Sequence, residues 1–341
     1  MDTNYVTTYG IGFLEFTGRR PHLLRDLFQQ MELQEHKSRL REGVTLHTAG
    51  NIHFISNPSS GGSAERFRDV HERGASAIGL LVENSAQALE QVMRLGAEPV
   101  QTRDYDIPAI KGVGNSLIYL VDADHQADLF SEFGFFGSSI DNVNQLVRID
   151  HLTHNLREGG IEKFKQFYGK LFGFKSVRSF DIEGKKTGLY SEVISSPCGR
   201  VVIPLNETKD DKSQIAEFIR DYNGEGIQHI ALHSANLYET VANLSHNGIE
   251  FQDTPDTYYD MLNDRLPDHG EEVEKLRNSR ILIDGGERQG GGFLLQIFTK
   301  NSIGPIFFEY IQRKGNEGFG EGNFQALFES IELDQEQRGV I

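Results

Sequence analysis

The chain repeats itself, and this limits its fold more than any other feature. Residues Ile78 to Gly96 and Ile230 to Gly248 share one pattern: an apolar strand, a polar turn, a helix, and a glycine where a helix C-terminus belongs. In both copies the glycine follows the isoleucine by 18 residues. Upstream, Gly50–Asn57 resembles Gly199–Asn206, each a short β-rich run ending in asparagine. Each half opens with a strand pattern, Gly10–Thr17 and Val147–His154, followed by a helical pattern, Pro21–Met31 and Ile161–Phe172. The second helix carries Phe164, Phe167, Tyr168 and Leu171 at spacings of three and four. Each half therefore reads β-α-β-β-β with a further helix, and the halves meet near residues 140–148. An α+β fold built by duplication is expected.

The halves differ where chemistry would sit. Leu294–Arg313 reads as two apolar strands joined by a Gly-Pro turn, and the second carries one acid, Glu309, among Phe307, Phe308, Tyr310 and Ile311. A buried carboxylate is costly unless a cation or metal compensates it. His151 and His229 lie in or beside apolar strands of the same half. Strand alternation puts His151 and His154 on opposite faces, so only one of them serves a given site. The first half has Ala77 in place of His229, no histidine in Gly10–Phe16, and Ser116–Val121 in place of the Glu309 strand. Any one of these histidines, taken singly, reads as an ordinary hydrogen-bonded strand residue. Three candidate ligands on three strands of one half, absent from its sister, point to a metal. Two imidazoles and a carboxylate suit a non-haem Fe(II) centre, and the donor types alone leave Mn(II) and Zn(II) open.

Composition excludes several classes. A formal net charge of −16 with no basic stretch argues against a nucleic-acid partner. No run approaches a membrane span. The residues after Met1 lack the basic and apolar regions of a secretory signal, and one cysteine, Cys198, cannot form an intrachain disulfide. A cytoplasmic protein is expected. The glycine-rich stretch Asp284–Gly292 leads into a strand rather than a helix, so it is no dinucleotide fingerprint. Gly318–Ile331 reads as a glycine-rich hinge with Asn323 as N-cap of a helix striped by Phe324, Leu327, Phe328 and Ile331. Such a helix either docks on the core or acts as a movable lid.

Specific stretches carry a family resemblance: Ile149–Asn155, Pro204–Asn206, Asn223–His229, Pro255–Tyr259, Arg265–Gly270, Leu294–Phe298, Phe307–Arg313 and Gly318–Phe324. Across essentially its whole length the chain resembles the 4-hydroxyphenylpyruvate dioxygenase family. The resemblance implies two tandem vicinal-oxygen-chelate domains, residues 1–146 and 147–341, each of paired βαβββ modules forming an open barrel, with a C-terminal lid helix. The first would be degenerate and structural. It implies one Fe(II) per chain held by His151, His229 and Glu309. Phe298 and Phe324 would sandwich the substrate ring, Phe319 would line the pocket, and Ser191, Asn206, Gln214 and Gln296 would orient the phenol and keto acid. Gln228 would support His229, and Gln228, Gln296 and Phe298 would serve catalysis. The implied reaction takes 4-hydroxyphenylpyruvate and O2 to homogentisate and CO2 in tyrosine and phenylalanine catabolism, with homogentisate as a feed for pigment. Because the substrate carries its own keto acid, no separate 2-oxoglutarate is required. The alternatives are a hydroxymandelate synthase, to which Phe298 and Pro204 are less suited, and a non-catalytic binder, whose mark would be a broken ligand triad. A homo-oligomer, dimer or tetramer, is expected.

Overall fold

The computed structural model describes residues 4–136, 145–183, 188–208, 213–287 and 290–323. In the first half, β1 (Gly10–Gly18), α1 (Pro21–Gln30), β2 (Gln34–Lys37), β3 (Thr45–Ala49) and β4 (Ile52–Ser56) form one βαβββ unit. After α2 (Ser63–His71) come β5 (Arg73–Leu81), α3 (Ser85–Arg94), β6 (Pro99–Val100), β7 (Ala109–Lys111) and β8 (Leu117–Val121), and α4 (Ala123–Glu132) closes the half. The second half repeats this: β9 (Leu146–Leu156), α5 (Gly160–Phe172), β10 (Lys175–Glu183), β11 (Gly188–Ser195) and β12 (Val202–Thr208), then α6 (Gln214–Asp221). Its last unit is β13 (Gly226–Ser234), α7 (Leu237–His246), three short helices α8 (Asp256–Asp260), α9 (Leu262–Arg265) and α10 (Val273–Ser279), then β14 (Leu282–Gly285), β15 (Phe293–Phe298) and β16 (Phe307–Lys314). Each half thus holds two β-α-β-β-β units, the paired modules that the resemblance implies, where the residue pattern alone reads one. The short strands β6 and β7 have too little periodicity to be seen in sequence.

The strand orders are β2-β3-β4-β1-β5-β8-β7-β6 and β10-β11-β12-β9-β13-β16-β15-β14. Each strand of the first sheet has a counterpart eight strands later. In every unit the first strand pairs in parallel with the last, and the two units of a half meet through an antiparallel pair, β1–β5 or β9–β13. The repeat seen in sequence marks the second unit of each half. Asn84 and Asn236 occupy equivalent N-caps, accepting from the amides of Gln87 and Glu239. Gly96 and Gly248 follow α3 and α7 with φ of +92° and +89°, a conformation that favours glycine.

One apolar core runs through both halves, from Leu14, Phe16 and Phe54 to Leu152, Ile230 and Phe308. The Phe54 and Phe308 rings lie 6.1 Å apart across the junction. The halves are also joined through the backbone, with the Asn51 amide donating to the Val147 carbonyl at 2.8 Å. A second cluster, around Phe13, Ala77, Tyr105 and Tyr119, belongs to the first half alone. Phe13 and Leu14 are consecutive on β1, so these two cores use opposite faces of one sheet.

Candidate metal centre

β9, β13 and β16 are neighbours in the second sheet, and their register sets three polar side chains together. Ala231 pairs with both His151 and Glu309, while His229 pairs with Thr153 and Phe307. Residues of one parity on adjacent strands share a face. His151 Nε2 lies 3.2 Å from Glu309 Oε2, His229 Nε2 lies 3.5 Å from the same oxygen, and the two Nε2 atoms are 3.3 Å apart. His151 and Glu309 are each 2% exposed. His154, of opposite parity, turns away and meets the Tyr168 hydroxyl at 3.1 Å.

The outer nitrogens are also engaged. His151 Nδ1–H donates to Asp150 Oδ1 at 3.0 Å, and His229 Nδ1–H donates to Gln228 Oε1 at 3.0 Å. These bonds select the tautomer that leaves both Nε2 lone pairs facing inward. Thr153 Oγ1 is 2.9 Å from His229 Nε2, and the Phe307 ring stacks on His229 with centroids 5.0 Å apart.

The residues fit a divalent metal. Three donor atoms, two imidazole nitrogens and one carboxylate oxygen, lie within 4.8 Å of one another. Their separations suit ligands about 2.0–2.2 Å from a shared centre. Glu309 Oε1 is buried without a hydrogen-bond partner, so the carboxylate has a lone pair with nothing to bind. Burial pushes the His151 imidazole down, but Glu309 and Asp150 outweigh it and raise its pKa to about 9. Burial would raise Glu309, yet His151 and His229 hold it at about 2. His229 stays below its ordinary value because burial outweighs Glu309.

A cavity of about 80 Å³ adjoins the triad. Among the expected pocket residues, Ser191, Asn206, Phe298 and Phe319 line it. Gln296 is buried beside it and its Oε1 has no partner. Gly320, at φ +74°, lies so close to Gln296 that a Cβ there would stand 1.9 Å from Oε1. Gln214 is not among the cavity-lining residues: it is the first residue of α6, after the Ser213 cap, and is exposed, while Ile215, Phe218 and Ile219 are the helix's buried residues. Phe324 and the expected lid stripe lie outside the described residues. Asn323 is not an N-cap. Helical residues begin at Glu321, and Asn323 Oδ1 instead accepts from the Tyr258 hydroxyl at 2.7 Å.

Sequence reasoning missed Asp150, Thr153, Glu321 and Arg313. Asp150 stood in view as the residue before His151, and Arg313 as the residue four beyond Glu309 on the same strand face. Their roles depend on long-range partners that spacing does not reveal.

A sheet that brings two histidines and one glutamate to one point defines a metal-dependent member of the vicinal-oxygen-chelate class. Residues 148–266 match the family described as Glyoxalase/Bleomycin resistance protein/Dioxygenase superfamily, and residues 3–137 match Hydroxyphenylpyruvate dioxygenase, HPPD, N-terminal. The 4-hydroxyphenylpyruvate dioxygenase of Legionella pneumophila (strain Corby) is 47% identical over 97% of this chain and 96% of its own length. That of Pseudomonas aeruginosa is 45% identical over 99% of this chain and 97% of its own. A solved mutant of 4-hydroxymandelate synthase from Streptomyces coelicolor has the same fold, with a TM-score of 0.79 at 22% identity over 96% of this chain and 99% of its own. The chain belongs to the 4-hydroxyphenylpyruvate dioxygenase family.

Proposed function

We propose that this protein converts 4-hydroxyphenylpyruvate and O2 to homogentisate and CO2. The observation that carries this reading is near full-length likeness to dioxygenases of that name, at 45–47% identity, in a chain whose His151, His229 and Glu309 converge. Those three residues would hold one Fe(II), and residues 147–341 would form the catalytic domain beside a structural domain of residues 1–146. Bound Fe(II) supplies the redox chemistry that couples O2 reduction to decarboxylation of the keto acid and hydroxylation of the ring.

The chain's own residues bind, orient and exclude water. Asp150 and Gln228 hold the two imidazoles in their ligating tautomers. Phe298 and Phe319 offer ring faces and edges to an aromatic substrate. Ser191, Asn206 and Gln296 supply polar atoms for its phenol and carboxylate ends. Apolar walls formed by Phe180, Leu189, Val193 and Pro204 keep bulk water from the reacting ring. The cavity of about 80 Å³ is well below the roughly 300–1,000 Å³ of ordinary ligand pockets. Lining side chains therefore have to move for substrate to enter, and the narrow arrangement is the one that shields chemistry.

The test is anaerobic reconstitution with Fe(II), addition of 4-hydroxyphenylpyruvate and O2, and identification of the product. Homogentisate with CO2 is expected. Hydroxymandelate as the main product would move the chain to synthase activity, and no turnover with metal bound would favour a binding role. A homo-oligomer, dimer or tetramer, belongs to the same proposal and is checked by sedimentation. Location in the cytoplasm also belongs to it; no helix among the described residues is long and apolar enough to cross a membrane.

A further inference from the structure

Behind His151 stands a buried ion pair, Asp150 with Arg313. Asp150 Oδ1 accepts from His151 Nδ1 at 3.0 Å and from Arg313 Nη2 at 2.7 Å. Asp150 Oδ2 accepts from Arg313 Nε at 2.9 Å and from Arg148 Nη1 at 3.1 Å. The Arg313 contact is thus a two-pronged fork on a carboxylate whose side chain is 4% exposed, and Arg313 itself is 8% exposed. Arg148, by contrast, is 46% exposed and sits at the rim.

Arg313 does a second thing. Its Nη1 donates to the carbonyls of Asn316 at 3.1 Å and Gly318 at 2.7 Å, and its guanidinium lies 5.8 Å from the Phe319 ring centroid. Phe319 in turn meets the His151 ring edge-on at 5.5 Å and lines the cavity. Beyond it, Glu321 Oε2 accepts from the Phe319 amide at 2.9 Å, and Glu321 pairs with Arg178. One guanidinium therefore touches both the carboxylate that orients a metal ligand and the backbone of the segment that closes the site. An ammonium could not do both, because its three N–H groups radiate from one nitrogen and do not span the two sites as a planar fork does.

We propose that Asp150 and Arg313 are positioning residues: the pair holds His151 in its ligating orientation and fastens the Asn316–Phe319 segment over the site, so ligand geometry and closure change together. A segment displaced to admit substrate pulls on the same arginine that holds Asp150. This rests on His151, His229 and Glu309 being the metal ligands.

The experiment uses full-length, metal-stripped protein and Co(II) as probe. It reads Co(II) affinity, the visible absorption of bound Co(II), and amide hydrogen exchange over residues 315–323. Asp150→Ala and Arg313→Gln should each weaken Co(II) binding by about 10–100-fold, the usual effect of removing a partner from a ligating histidine. Both should alter the Co(II) spectrum, and Arg313→Gln should also speed exchange over residues 315–323. Arg313→Lys keeps the charge and the fold more conservatively, and should restore less than half of the lost binding free energy. Replacing Arg148, which also touches Asp150, by glutamine (Arg148→Gln) should change none of the three readings. Affinity within twofold of wild type in both Arg313 variants, with unaltered exchange, would overturn the proposal while leaving the site reading intact. Failure of wild-type protein to bind Co(II), or equal binding by His229→Ala, would instead overturn the ligand assignment beneath it. If Asp150→Ala does not fold, Asp150→Asn gives the same reading with a weaker expected loss, since an amide oxygen still accepts from His151 but holds no arginine fork.

Discussion

The two halves share one strand order and have opposite interiors. In the second sheet Ala231 pairs with His151 and Glu309; in the first its counterpart Gly79 pairs with Phe13 and Tyr119. The place of His229 is taken by Ala77. Two imidazoles and a carboxylate thus face a cavity in one half, while a phenyl, a methyl and a phenol fill the same space in the other. Phe13, Ala77 and Tyr119 are fully buried, with the two rings 5.8 Å apart. A backbone duplicated with its register therefore offers the same geometric site twice. Side-chain chemistry decides whether that site is a packed core, in which each buried aromatic contributes roughly 1.5–3 kcal/mol, or a metal centre.

The largest expected effect tests whether the second site is the one that carries chemistry. His151→Ala, His229→Ala and Glu309→Ala should each abolish metal uptake and reduce turnover to background, because each removes one of three protein ligands. Metal analysis of wild-type protein should give one ion per chain. A second ion that survives Glu309→Ala, or one whose loss follows Phe13→Ala, would break the contrast between the halves.

Next in size is the proton linkage of that site. His151 is held protonated up to about pH 9 by Glu309 and Asp150, whereas His229 is already neutral and Glu309 already ionised at neutral pH. A metal must displace the one proton on His151. Apparent affinity should therefore rise about tenfold per pH unit between pH 7 and 9 and flatten above, with one proton released per ion bound. Calorimetry in buffers of differing ionisation heat reads that number. Release of none or of two would show that the charge assignment within the triad is wrong.

Much of this contrast is legible in the sequence. The duplication, the three ligand positions and the contrast with Ala77 follow from local pattern and from what one half has and its sister lacks. Three things are not legible there. The doubling of units within each half is hidden in strands as short as Pro99–Val100. The exposure of Gln214 depends on which face of α6 packs inward, through Ile215, Phe218 and Ile219, and the resemblance that singled out Gln214 does not carry that information. The Asp150–Arg313 fork joins residues 163 apart in sequence, and only the sheet brings them together.

A smaller effect sharpens the comparison from the product side. Phe298 lines the cavity edge-on to Phe307, with centroids 6.1 Å apart. Phe298→Ile removes an aromatic contact of about 0.5–1.5 kcal/mol beyond area burial. A ring free to tilt should present its benzylic carbon, so the product should shift from homogentisate toward hydroxymandelate at unchanged metal content. An unchanged product ratio by chromatography would mean that the polar residues and the remaining aromatics orient the ring without Phe298.

The smallest effect lies in the first half, where the polar residue of the duplicated site has become structural. Glu15 occupies the place of Thr153: it pairs with Ala77 as Thr153 pairs with His229. It is 1% exposed, and it accepts from Asn57 at 2.8 Å, Tyr105 at 2.6 Å and Ser76 at 2.7 Å. Burial, with Asp104 nearby, raises its pKa despite those three donors. An acid whose folded pKa lies above its unfolded one is more protonated in the folded state across that interval. Folding stability therefore falls as pH rises through the carboxylate range, and the loss persists above the folded pKa. No metal offsets this cost, unlike that of Glu309. Glu15→Gln keeps the shape, can still accept from Tyr105 and Asn57, and removes the charge. Relative to wild type it should gain stability as the pH rises from 4 to 8. Denaturant titrations at both pH values read it, with metal content and turnover unchanged. A relative loss with rising pH would show that the three donors stabilise a carboxylate here, and that the first half retains a charged centre of its own.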